Sequence, residues 1–94
     1  MQDVNHIALF PLGKIVMTRG VHAAIAAEQL LDALLRHAHG DWGDVCDEDR
    51  GSNEEALVRQ FRLFSVYGAS DTSKFWIITE ADRSYTTILL PEEY

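Results

Sequence analysis

Between residues 37 and 55 the chain gathers most of the side chains that could do chemistry. His37-x-His39-x-Asp41 is followed by Asp44, Cys46, Asp47, Glu48 and Asp49. Imidazole, thiolate and carboxylate are the usual ligands of zinc. A helix end running into a flexible acidic loop could fold His37, His39 and Asp41 round one ion. That would make the chain a small metal-dependent hydrolase.

The wider pattern does not extend that reading. Zinc-dependent isopeptidase motifs that begin His-x-His need a downstream Ser and Asp, and those positions hold Asp47 and Arg50. The 47–49 carboxylates lack the alternating ligands, central Gly and terminal Glu of a calcium-binding EF-hand loop. The plainer reading is the stronger. Both histidines then lie in a solvated last helical turn, the carboxylates form a solvated loop, and no metal or other cofactor is expected. Cys46 could act as a nucleophile beside a histidine, but nothing orients such a pair and its acidic neighbours disfavour the thiolate. His6 and His22 have no evident partners. There is no Ser-His-Asp order, phosphate-cradling glycine loop or dinucleotide fingerprint.

Binding is a different matter. Asp41, Asp44, Asp47, Glu48, Asp49, Glu54 and Glu55 are seven carboxylates set against the single Arg50. Trp42, between Gly40 and Gly43, is either a plug on the end of the core or an exposed anchor of the kind enriched at binding hot spots. Glu80, Asp82 and Arg83 crowd a turn near the C-terminal end, where Arg83 could reach a carboxylate or phosphate. The candidate binding residues are therefore Asp41, Trp42, Asp44, Asp47, Glu48, Asp49, Glu80, Asp82 and Arg83.

The net charge of −7, from 15 acidic and 8 basic residues, argues against a protein that binds nucleic acid by neutralising phosphates. It suits solubility, or a protein partner with a basic groove. The 94 residues suffice for one globular domain with a modest core. Apolar runs are too short for a membrane span, and the N-terminus lacks a signal-peptide pattern, so a cytoplasmic protein is expected. With Cys46 the single cysteine, no internal disulfide can form.

These side chains need a scaffold. Phe75 to Thr79 and Tyr85 to Leu90 read as strands, joined by a loop over 80–84 in which Asp82 bonds its own backbone. Arg62 to Tyr67 reads as another strand, followed by a turn-rich connector over 68–73. His6 to Phe10 and Lys14 to Met17, flanking Pro11-Leu12-Gly13, read as a hairpin. Thr18 is a plausible N-cap. From about Arg19 to His39, Ile25, Ala27, Leu30, Leu31, Leu34, Leu35 and Ala38 mark one long amphipathic helix ended by Gly40. A second helix is expected from Ser52 or Asn53, where Ser52-x-x-Glu55 forms a capping box, to about Phe61. The expected fold is α+β in the order β-β-α-α-β-β-β. It has a mostly antiparallel sheet of about five strands with the long helix on one face. An exposed strand edge would allow a homodimer.

Gly40-Asp-Trp-Gly43, Asn53-Glu-Glu-Ala-Leu57, Trp76-Ile-Ile-Thr-Glu-Ala-Asp-Arg-Ser84 and Thr86-Thr-Ile-Leu-Leu-Pro-Glu-Glu-Tyr94 together resemble a family of small bacterial proteins carried on plasmids and integrated mobile elements. These are labelled plasmid-related proteins or restriction-modification subunits. The resemblance covers residues from about 35 to 94 and implies a genomic setting rather than a mechanism. Nothing in the sequence supports the restriction label, which calls for a larger scaffold. Family members usually carry a small residue where this chain has His39, so a metal site built on His39 would not be shared. The resulting expectation is a non-catalytic accessory protein of mobile elements. It would bind a protein through its acidic loop and inhibit a host defence or DNA-processing protein.

Overall fold

The computed structural model describes residues 8–68 and 74–94. Its centre is the expected hairpin. β3 (Phe75–Thr79) and β4 (Tyr85–Leu89) pair antiparallel, with Ile77 opposite Ile88 and Thr79 opposite Thr86. In the intervening loop the Asp82 carboxylate accepts from the Ser84 N–H at 3.0 Å, and Arg83 takes a left-handed φ of 62°. β2 (Leu63–Tyr67) pairs antiparallel with the far side of β3.

β1 (Lys14–Met17) corrects the expected N-terminal hairpin. It lies beside β4, parallel to it, and gives a four-stranded mixed sheet in the order β1-β4-β3-β2. Residues 6 and 7 of the expected first strand lie outside the described residues, as does most of the 68–73 connector. Leu9 and Phe10 form no strand, and the Leu9 N–H donates to the Ala38 carbonyl at 2.8 Å. The reason lies at Gly13. Its φ is +66°, and a Cβ there would sit 2.4 Å from the Ser84 carbonyl oxygen. Gly13 lets the chain press against the β3–β4 loop instead of closing a hairpin. Lys14 N–H then donates to Ser84 O at 3.1 Å, which starts β1 in the same direction as β4.

The expected long helix is two. Thr18 caps α1 (Arg19–Ala24) by accepting from the Val21 N–H; α2 (Ala27–Ala38) follows after extended residues at Ile25 and Ala26. Helical phase explains the break. Val21 and Ile25 are buried, and an unbroken helix would next turn Gln29, Asp32 and Arg36 inward. Restarting at Ala27 brings Leu30 and Ala33 into the same apolar cluster, over Tyr67, Phe75, Ile77 and Ile88. Leu31 and Leu35, expected on the buried stripe, are 59% and 50% exposed instead. α2 ends, as expected, at Gly40, whose φ is +84°.

The second long helix starts earlier than the Ser52 capping box suggests. α3 runs Asp47–Arg59 with Cys46 as its N-cap residue. Asp47, Glu48 and Asp49 fill the first turn, where the helix dipole favours carboxylates. Ser52 and Asn53 are therefore mid-helix. Asn53 is buried: its amide donates to the Phe64 carbonyl at 2.7 Å and accepts from the Phe64 N–H at 3.0 Å. One side chain thus copies a neighbouring strand on the outer edge of β2. Beside it, Val66 N–H donates to Trp42 O at 3.1 Å and Asp44 N–H to Val66 O at 2.7 Å. The β2 edge is closed along its length.

Asn53→Ala improves helix propensity yet strips both groups of Phe64. The expected result is a net loss of about 1–3 kcal/mol, read as a lower urea midpoint.

Candidate functional site

His37 carries the chemistry of the molecule's interior. It is fully buried on α2, between Phe10 at 5.3 Å and Trp42 at 5.6 Å, both edge-on. Its Nδ1 lies 2.6 Å from Ser65 Oγ and its Nε2 lies 2.9 Å from Thr79 Oγ1. Thr79 Oγ1 lies 2.7 Å from Thr86 Oγ1, which lies 2.7 Å from the Leu12 carbonyl oxygen. The direction of every proton follows. A carbonyl only accepts, so Thr86 donates to Leu12. Thr79 must then donate to Thr86, and His37 Nε2–H to Thr79. Nδ1 carries no proton and accepts from Ser65.

Burial, reinforced by the Arg83 charge, lowers the His37 pKa from 6.5 to about 3. Ser65 beside an unprotonated ring nitrogen has the form of a nucleophile and its base. However, both side chains are 0% exposed, so no substrate reaches them. The arrangement is a structural relay.

This overturns the solvated last turn expected for His37 and removes it as a metal ligand. His39 Nδ1 turns to its own helix, 2.6 Å from Leu35 O. The Asp41 carboxylate holds Arg36 at 2.8 Å, and that bond keeps its pKa below the usual value. Among the described residues no cluster of three or more His, Cys, Asp or Glu is placed to hold a metal ion.

The candidate binding residues separate. Trp42 is the core plug, 2% exposed, stacked 6.2 Å from Phe10, with its indole N–H on Glu54 at 3.0 Å. Asp41 and Asp44 are exposed in the short connector before α3; Asp47 and Glu48 are exposed and Asp49 half-buried on its first turn. Glu80 meets Arg62 at 3.5 Å, and Asp82 serves its own turn.

Arg83 is buried rather than presented to a partner. Its guanidinium donates to the carbonyls of Phe61, Ala56, Glu80 and Ala81 at 2.7, 3.0, 3.1 and 3.2 Å, and sits 5.6 Å from the Phe10 ring centre. The cation thus caps the C-terminal end of α3, where the dipole favours it.

Sequence reading missed the outer face of the sheet. Strand parity carries the signal. If Leu63, Ser65 and Tyr67 face the helices, Phe64 faces away, as do Trp76, Ile78, Tyr85 and Thr87 in register. Phe64 meets Trp76 edge-on at 5.0 Å, and Trp76 meets Tyr94 at 5.7 Å. Arg62 lies 5.8 Å from the Tyr94 ring centre and donates to its hydroxyl at 3.1 Å. Together with Ile78 they line a hollow of about 230 Å³. It continues past Glu80 toward Tyr85, Thr87 and Glu93, and no residue of α1, α2 or α3 lines it.

Comparison with protein-family models, with curated proteins and with solved structures finds no match to this chain. Among the described residues no helix is long and apolar enough to cross a membrane.

His37 sets a pH dependence. The folded chain holds its pKa near 3 against 6.5, so the unfolded chain takes the proton first as pH falls. The stability tied to neutral His37 is complete above pH 6.5 and drains away toward pH 3. Between about pH 6.5 and pH 5, above most carboxylate titration, the wild type should lose up to about 1.4 kcal/mol per pH unit. His37→Gln should lack that share of the slope. Urea unfolding of both proteins across this window checks it.

Proposed function

We propose that this chain is a non-catalytic binding module. It is an accessory protein, in the mobile-element setting its sequence resembles, that holds a basic, partly apolar segment of another protein. The observation that carries the reading is the outer face of the sheet. Phe64, Trp76, Tyr85 and Tyr94 form an aromatic face whose hollow is lined, among the described residues, by none of α1, α2 or α3. Apolar surface of this kind, rimmed by polar groups, is what protein contacts use.

The acidic residues supply the second half. α3 flanks the groove through the Asn53–Phe64 contact and carries Asp47, Glu48 and Asp49 on its exposed first turn. At the opposite end Glu80 and Glu93 line the groove. A partner that brings lysine or arginine around an apolar protrusion matches both features. Arg62 displays the same chemistry internally: a guanidinium near the Tyr94 ring, paired with Glu80. The apolar face holds the partner and the carboxylates steer it.

Panning a displayed peptide library on the immobilised protein at low salt tests this. The enriched peptides should combine basic with apolar residues. Tyr85→Ala/Tyr94→Ala changes two exposed rings and should weaken their binding by about tenfold, roughly 1.4 kcal/mol. Asp47→Asn/Glu48→Gln/Asp49→Asn should weaken it less and flatten its salt dependence. No enrichment, or binding indifferent to the tyrosine variant, contradicts the proposal.

A further inference from the structure

The two edges of the sheet are treated differently. The β2 edge is closed by the Asn53 amide and by the main chain of residues 42–44. Among the described residues the β1 edge is open. Ile15, Val16 and Met17 are 40%, 39% and 42% exposed, so neither face of the strand is covered.

The main chain says which groups are left over. Lys14 N–H donates to Ser84 O and Thr18 N–H to Ile88 O, so the even-numbered residues turn toward β4. By alternation Ile15 and Met17 point their N–H and C=O groups outward. Among the described residues no main-chain group bonds them. An edge of this kind is a template for another strand.

We propose that β1 pairs with β1 of a second copy of this chain. The strands would run antiparallel about a twofold axis at Val16, making one continuous sheet of two protomers. This register is self-complementary, as a twofold interface requires. Ile15 faces Met17 of the other copy, and Met17 faces its Ile15. All the outward N–H and C=O groups of both residues are then used on both sides. Val16 faces Val16 in the close, non-hydrogen-bonded position, which suits a β-branched pair.

Charge also favours a second copy at this edge. The chain carries a net −7, yet residues 14–17 hold no carboxylate. Self-repulsion along the strand itself is therefore low. Lys14 falls opposite Thr18 of the other copy, whose hydroxyl donates to the Glu93 carboxylate. Opposite charges, not like ones, meet across the seam. The seam is short, so the dimer is weak and concentration-dependent. The inference is independent of the aromatic groove and survives if that reading fails.

Sedimentation velocity from roughly 1 μM to 1 mM tests it; this range spans about 4–8 kcal/mol of association free energy. The wild type should pass from monomer to dimer within the range. Val16→Lys and Val16→Glu each place like charges face to face at the axis. Each should weaken dimerisation at least about tenfold, with circular dichroism unchanged. Mixing the two variants in equal amounts places Lys opposite Glu and should restore the dimer. A wild type that stays monomeric throughout overturns the proposal. So does a dimer indifferent to both variants, or a mixture of folded variants that stays monomeric.

Discussion

The interior of this protein is ordered by a line of hydrogen bonds that runs in one direction. Ser65 donates to His37, His37 to Thr79, Thr79 to Thr86, and Thr86 to the carbonyl of Leu12. The line crosses from β2 through α2 to β3 and β4, and ends on the segment that leads into β1. Each bond contributes only about 1 kcal/mol net, but a member left unpaired away from water costs about 1–3 kcal/mol. Such a network does not add a large stability so much as exclude other packings. Sliding α2 along the sheet, or shifting β4 by one residue against β3, would leave buried polar groups unmatched.

Two further polar contacts extend the same logic to the periphery. Asn53 ties α3 to the edge of β2, and Arg83 ties the end of α3 to the β3–β4 loop through four carbonyls. Side chains that look chemically capable are thus spent on architecture. A histidine with a serine beside it, a buried arginine and a tryptophan next to acids all close the core. What remains outside, among the described residues, is an aromatic sheet face, an acidic helix start and an open strand edge.

Short-range features were legible in the sequence. The β3–β4 hairpin, the Asp82 turn, β2, the Thr18 cap and the Gly40 stop each depend on residues a few positions apart, and all stand as read. The N-terminal hairpin failed because β1 pairs with residues some seventy positions away, at Tyr85–Ile88. Pro11-Leu12-Gly13 reads as a turn; its Gly is needed for the close approach to Ser84 instead. The α1–α2 break did have a signal, since the Val21–Ile25 phase runs next onto Gln29, Asp32 and Arg36. The α3 start was misplaced: the Ser52 box reads as a local start, but three carboxylates in a first turn suit the dipole as well, and the helix begins just after Cys46. His37 was misplaced because its neighbours Arg36 and His39 do lie outside the core. Only the parity of Ser65, Thr79 and Thr86, all on the inner face, hinted that a polar partner was wanted there.

Nitrogen NMR of the His37 ring addresses the central claim most directly. A structural histidine locked in the relay stays neutral at about pH 5, its proton fixed on Nε2 and slow to exchange, with Nδ1 unprotonated. That is the result the relay predicts. A ring that titrates near the 6.5 of a free histidine, or carries its proton on Nδ1, would contradict it and return His37 to the set of residues available for chemistry.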